Sequence, residues 1–101
     1  MRIIVFFDLP VITAKNRRDY AAFRRFLLGS GFIMMQESVY TKLSVNNVMS
    51  RAIKDKVVQH CPSDGVVEML EVTERQFSRI EYVAGERQST VIESMDRLVE
   101  L

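Results

Sequence analysis

Arg2-Ile3-Ile4-Val5-Phe6-Phe7-Asp8-Leu9-Pro10 decides the architecture of this 101-residue chain. From Ile3 to Phe7 every side chain is β-branched or aromatic, so no polar face alternates with an apolar one. Such a run belongs to a strand covered on both sides, at the centre of a sheet. Asp8-Leu9-Pro10 ends it, because proline has no N–H to give to a ladder. Thr13 then stands where a helix N-cap is expected, and the helix runs to about Leu28. Tyr20, Phe23 and Leu27 form its inner stripe, with Phe26 beside them, and Gly29-Ser30-Gly31 stops it.

Downstream, Phe32 to Met35 and Ser38 to Lys42 fit two short strands, or one strand bent by a bulge near Gln36. Asn46 or Asn47 caps a second helix reaching about His60, with Val48, Ala52, Ile53 and Val57 as its inner stripe. Pro62-Ser63-Asp64-Gly65 is a turn, and Val66 to Val72 alternates as a strand beside the first. Thr73 to Ser78 fits one helical turn, Ile80 to Ala84 a further strand, and Thr90 to Leu101 a tail that is strand-like or helical.

The order β-α-β-β-α-β, joined by right-handed crossovers, gives an α+β domain of ferredoxin-like type with both helices on one sheet face. The other face lacks cover, which is an invitation to a partner. One domain over 1–101 is expected, with a core over about 1–84 and a dimer-contacting C-terminal extension over about 85–101.

Composition narrows the function. The chain is 48% hydrophobic and 27% charged, as an ordinary folded domain is, and its apolar runs are too short to cross a bilayer. With Cys61 as the sole cysteine there is no intrachain disulfide, so a reducing, cytoplasmic setting is expected and no membrane partner. The net charge of +1 hides a division: residues 1–60 carry +6 and residues 61–101 carry −5. A positive half of this kind suits a polyanion.

Asp8 is the sharpest chemical candidate. A carboxylate at the exit of a central strand either caps a turn or holds a cation such as Mg²⁺, which takes one or two carboxylates and completes its shell with water and phosphate. No acid clusters with it in sequence, so metal chemistry needs a second Asp8 brought across a two-fold axis. Arg17, Arg18, Arg24 and Arg25 form two pairs seven residues apart, and two helical turns bring each pair nearly into line. Guanidinium groups about 10 Å apart suit phosphates along a nucleic-acid backbone, the alternative being a solvated helix face. Lys42, Arg51, Lys54 and Lys56 extend the positive surface. Ser38, on a strand with Tyr40 on the same pleat face, could donate to phosphate or water, or simply serve a bulge. His60-Cys61 lacks enough partners for a metal site, and there is no phosphate-binding glycine loop.

Phe7-Asp8-Leu9-Pro10, Tyr20 to Leu28 with its interleaved arginines, Gly31-Phe32-Ile33-Met34, Gln36, Ser38-Val39-Tyr40, Lys42, Val72-Thr73-Glu74, Gln76-Phe77 and Tyr82 occur in an order and spacing that resembles one family. It is the CRISPR-associated endoribonuclease family, the small spacer-acquisition subunit that partners the CRISPR integrase, in its type II version. The resemblance implies a ferredoxin-like homodimer that binds duplex DNA and bridges integrase dimers. It also implies Mg²⁺-dependent cleavage of RNA or DNA, with Mn²⁺ as the alternative ion and single-stranded RNA as the alternative substrate. Asp8 matches the family's metal-ligand acid, and Ser38 is carried with it as a second catalytic candidate. Glu37 departs from the family pattern, standing where an aromatic usually precedes the serine. Two roles stay open: an architectural subunit of integration, or mainly a metal-dependent nuclease.

Overall fold

The computed structural model describes residues 1–86. Strand β1 spans Arg2–Asp8, helix α1 Ala14–Gly29, β2 Ile33–Gln36, β3 Val39–Leu43, α2 Asn47–Gln59, β4 Val66–Val72 and the short helix α3 Glu74–Phe77. The four strands form one sheet in the order β2-β3-β1-β4, every neighbouring pair antiparallel. This is the ferredoxin-like architecture. β1 occupies a central position, paired with β3 through Val5↔Tyr40 and with β4 through Val5↔Met69, as its unbroken apolar run requires.

Both main helices lie on the face presented by Ile3, Val5 and Phe7. There Phe23 and Leu27 of α1, Ile53 and Val57 of α2, and Tyr40 of β3 close one core. Phe7 is its aromatic hub, edge-on to Tyr20 and Phe23 and stacked on Tyr40 at a centroid distance of 5.6 Å. The start of α1 is held by a capping box. Thr13 Oγ1 accepts the Asn16 N–H at 3.0 Å, and Asn16 Oδ1 accepts the Thr13 N–H at 3.3 Å. Asn46, rather than Asn47, caps α2.

Strands β2 and β3 are separate elements joined by a turn at Glu37 and Ser38, and a register shift between Met34 and Gln36 adds the bulge as well. The two alternatives drawn from the sequence therefore coexist. Ser38 belongs to that turn and not to β3.

Three expectations need correction. Val48 and Ala52 do not face the core: Val48 is 81% exposed, Ala52 is exposed too, and the inner stripe is Met49, Ser50, Ile53 and Val57. The phase is shifted because buried Ser50 belongs to the inner face, where its Oγ bonds Ser44 Oγ at 2.7 Å and donates to Glu71 Oε2 at 2.6 Å. A polar residue satisfied in this way is invisible to a hydrophobic pattern. Residues 80–84 form no strand, and Val83 is 98% exposed. β-branched residues make a strand only where a sheet edge pairs with them, and none does among the described residues. Lys54 is not spare positive surface, since its Nζ donates to Glu71 Oε1 at 2.7 Å. The C-terminal extension over 85–101, apart from its first two residues, lies outside the described residues.

The opposite sheet face carries Ile4, Phe6 and Asp8 of β1, Val66, Glu68, Leu70 and Val72 of β4, and Thr41 of β3. Ile4 and Thr41 are buried, whereas Ile33, Leu43, Val66 and Leu70 are exposed at its margins. At the start of β1 the Arg2 guanidinium stacks 4.3 Å over the Phe77 ring and donates to both carboxylate oxygens of Glu74, at 2.7 and 2.9 Å. No described helix is long and apolar enough to cross a membrane.

Candidate nucleic-acid and metal site

Asp8 closes β1 opposite Val66, exposed, and its carboxylate has no hydrogen-bond or ion-pair partner among the described residues. Its main chain is held far more firmly than its side chain. On the β3 side the Phe7 N–H donates to the Ser38 carbonyl at 3.0 Å. On the β4 side Gly65, with φ 91°, packs directly against the Asp8 carbonyl. The turn at Ser38 thus lies beside the end of β1 that carries Asp8, and Ser38 meets β1 through its carbonyl.

A hard oxygen donor with no competing partner suits Mg²⁺. Among the described residues, however, no three His, Cys, Asp or Glu side chains gather around one point. One chain therefore offers a single carboxylate, which fits an ion shared with a second chain and does not fit a closed site within one. The other metal candidate is taken up by packing: the His60 ring stacks on Phe26 at 3.9 Å, and its Nδ1 lies 2.8 Å from the Lys56 carbonyl.

Helix α1 starts at the Asp8 end of the sheet and runs back along it. With Phe23 and Leu27 buried inward, Arg18 and Arg25 point directly away from the sheet, and Arg17 and Arg24 lie on one flank. Successive arginines seven apart are offset by only about 20° around the axis. All four are exposed. Arg18, Arg24 and Arg25 have no side-chain hydrogen bond or ion pair among the described residues, so their donors face solvent. Arg17 differs: its Nη1 donates to the Val11 carbonyl at 3.2 Å and to the Ile12 carbonyl at 2.9 Å, tying down the loop between Asp8 and the helix. The only acid in the helix, Asp19, is taken by Lys15 at 2.8 Å, and that contact raises the pKa of the lysine.

Lys42 stands apart from Asp8. It pairs with Ile3 at the other end of β1, about 17 Å away by strand rise, and its Nζ lies against Gly31 beyond the C-terminus of α1. The structure therefore groups Asp8, Ser38 and the start of the arginine helix, and leaves Lys42 at the far end. Sequence reasoning missed Gly65 and Asn16, whose Nδ2 donates to Asp64 at 3.2 Å and joins the Gly65 turn to α1. The signal available was the Asp64-Gly65 turn pair, which shows a left-handed glycine but not what it touches.

Comparison with known proteins gives a consistent result. The family model of CRISPR associated protein Cas2 matches residues 1–80. The CRISPR-associated endoribonuclease Cas2 of Treponema denticola is 46% identical over 101 residues, covering the whole of both chains. That of Streptococcus mutans is 46% identical over 99 residues, covering 98% of this chain and 91% of the relative. The fold is similar to the crystal structure of Streptococcus pyogenes Cas2 at pH 6.5, with TM-score 0.63 and 18% identity over 83% of this chain and all of that one.

Proposed function

The chain belongs to the Cas2 family of CRISPR adaptation proteins, and from that premise we propose that two copies pair and hold a nucleic-acid duplex along their α1 helices. The observation that carries this reading is the exposed set Arg18 and Arg25 on the outward side of α1 and Arg24 on its flank, none with a hydrogen-bond or ion-pair partner among the described residues. Guanidinium groups without acidic partners keep all their N–H donors, in their fork geometry, for phosphate. Pairing is supported by the sheet face that leaves Ile33, Leu43, Val66 and Leu70 exposed, since apolar margins of this kind are covered in stable assemblies. In this role the dimer bridges the integrase subunits during insertion of new spacers. Mixing the protein with the integrase and a short duplex tests it: one three-part complex in gel filtration supports the bridging role, and separate elution of the two proteins at low salt refutes it.

A second reading, favoured by the unpartnered carboxylate of Asp8 and by the endoribonuclease name of the relatives, is phosphodiester cleavage. Asp8 shares its sheet face with the exposed apolar margin, so pairing across that face turns the two carboxylates toward one another. Asp8 and its counterpart in the second copy would then hold one Mg²⁺, with Mn²⁺ as a substitute. When bound, such an ion polarises the phosphate and activates water. Cleavage of labelled RNA and of duplex DNA, measured with Mg²⁺ for wild type and Asp8→Asn, decides the matter. Cleavage that survives the substitution assigns the activity elsewhere.

A further inference from the structure

The main chain around Asp8 is restrained from both sides by residues with unusual backbone geometry. Ser38 has φ 67°, in the left-handed region where a residue with a side chain is strained, and there it delivers its carbonyl to the Phe7 N–H at 3.0 Å. Across the strand, Gly65 approaches so closely that a Cβ built on it would stand 2.6 Å from the Asp8 carbonyl oxygen, 2.9 Å from Leu9 Cδ2 and 3.0 Å from Leu9 Cα. Two of these three obstacles are main-chain atoms and cannot swing aside. The Gly65 turn is itself fastened to α1 by the 3.2 Å bond from Asn16 to Asp64, and the same Asn16 closes the helix cap with Thr13.

We propose that Gly65 and the Ser38 carbonyl are positioning residues for the Asp8 carboxylate. Together they fix where β1 ends, and the Asn16–Asp64 link sets that end against the arginine helix. The side chain of Asp8 has no hydrogen bond or ion pair among the described residues to orient it, so the placement of its Cα is what aims it. A metal-holding group must be aimed to within about 0.5 Å, which is the purpose such a clamp serves. On this assignment the Ser38 hydroxyl is dispensable and only its backbone conformation matters. The proposal rests on Asp8 holding a divalent ion.

The test uses the full-length protein and Mn²⁺ as probe, with free ion measured by electron paramagnetic resonance. Duplex affinity and circular dichroism are measured on the same samples. Ser38→Gly removes the hydroxyl but accepts the left-handed backbone, and it keeps Mn²⁺ affinity. Ser38→Val resists that backbone and weakens Mn²⁺ binding. Gly65→Ala drives a methyl into the Asp8 main chain and weakens Mn²⁺ binding about tenfold, while the duplex affinity set by α1 stays unchanged. If Gly65→Ala does not fold, the Ser38 pair gives the answer. Loss of Mn²⁺ in Ser38→Gly, or a folded Gly65→Ala or Ser38→Val that binds Mn²⁺ as wild type does, overturns the proposal. Equal Mn²⁺ binding by wild type and Asp8→Asn overturns the assignment of the ion to Asp8, and the clamp with it. A failure of the clamp alone is recognised because Asp8→Asn then loses the ion while Gly65→Ala keeps it.

Discussion

Replacing Arg18, Arg24 and Arg25 together by alanine removes exposed side chains that have no partner among the described residues, and leaves the core of α1, Phe23 and Leu27, untouched. Arg18 and Arg25 are separated by about 10 Å along the helix, which spans about three base steps of a duplex. Each guanidinium then meets a different phosphate. Three arginines per chain neutralise about six phosphates per pair of chains, so the logarithm of duplex affinity should fall against the logarithm of salt with a slope of about −5 from these residues. That slope corresponds to about a 10³-fold loss of affinity between 50 and 200 mM salt. Fluorescence anisotropy of a labelled duplex over a salt series reads it. The triple variant should keep its fold and lose nearly all of this salt dependence. Arg17→Ala serves as the contrast: its guanidinium is already bonded to the Val11 and Ile12 carbonyls, so its loss should lower stability and change the slope by less than about one. A folded triple variant with the wild-type slope shows that duplex lies elsewhere on the molecule.

Other consequences concern stability. Hydrogen bonds from Lys54 and Ser50 hold the pKa of Glu71 below the ordinary glutamate value, and Arg2 does the same for Glu74. A depressed carboxylate pKa stabilises the fold above the unfolded value and loses that contribution as pH falls through the folded one. Glu71→Gln should therefore flatten the decline of melting temperature below about pH 4.3, with wild-type steepness arguing against the linkage. Thr13→Ala removes the Oγ1 that accepts the Asn16 N–H in the α1 capping box and should cost about 1 kcal/mol in urea unfolding; no change means that the cap is idle. Ile53→Ala should cost about 2–5 kcal/mol and Val48→Ala less than about 0.5 kcal/mol, and equal costs contradict the observed phase of α2.

The fold was legible where apolar pattern and backbone chemistry agree. Ile3 to Phe7 named a central strand, Thr13 a helix start and Pro62 to Gly65 a turn, and each stands where it was expected. The reading failed where burial is polar or where pairing must come from a distance. Ser50 occupies a core position through its bonds to Ser44 and Glu71, which moved the inner face of α2 away from Val48 and Ala52. Residues 80–84 have the composition of a strand, yet composition supplies no partner edge. At the candidate site the same limit applies. Charge spacing showed that Arg17 lines up with Arg24 and Arg18 with Arg25 away from the inner stripe, but not that Arg17 is spent on the preceding loop. Asp8 announced itself at a strand exit. Gly65 did not, because its significance lies in a close approach between strands far apart in sequence.

Sedimentation of the protein at low salt, alone and with a short duplex, bears on whether two chains act together as one polyanion-holding body. Two chains should travel as a unit, take up one duplex, and release it as salt rises without separating. A species with the mass of one chain at every concentration, leaving the duplex behind at low salt, contradicts that picture.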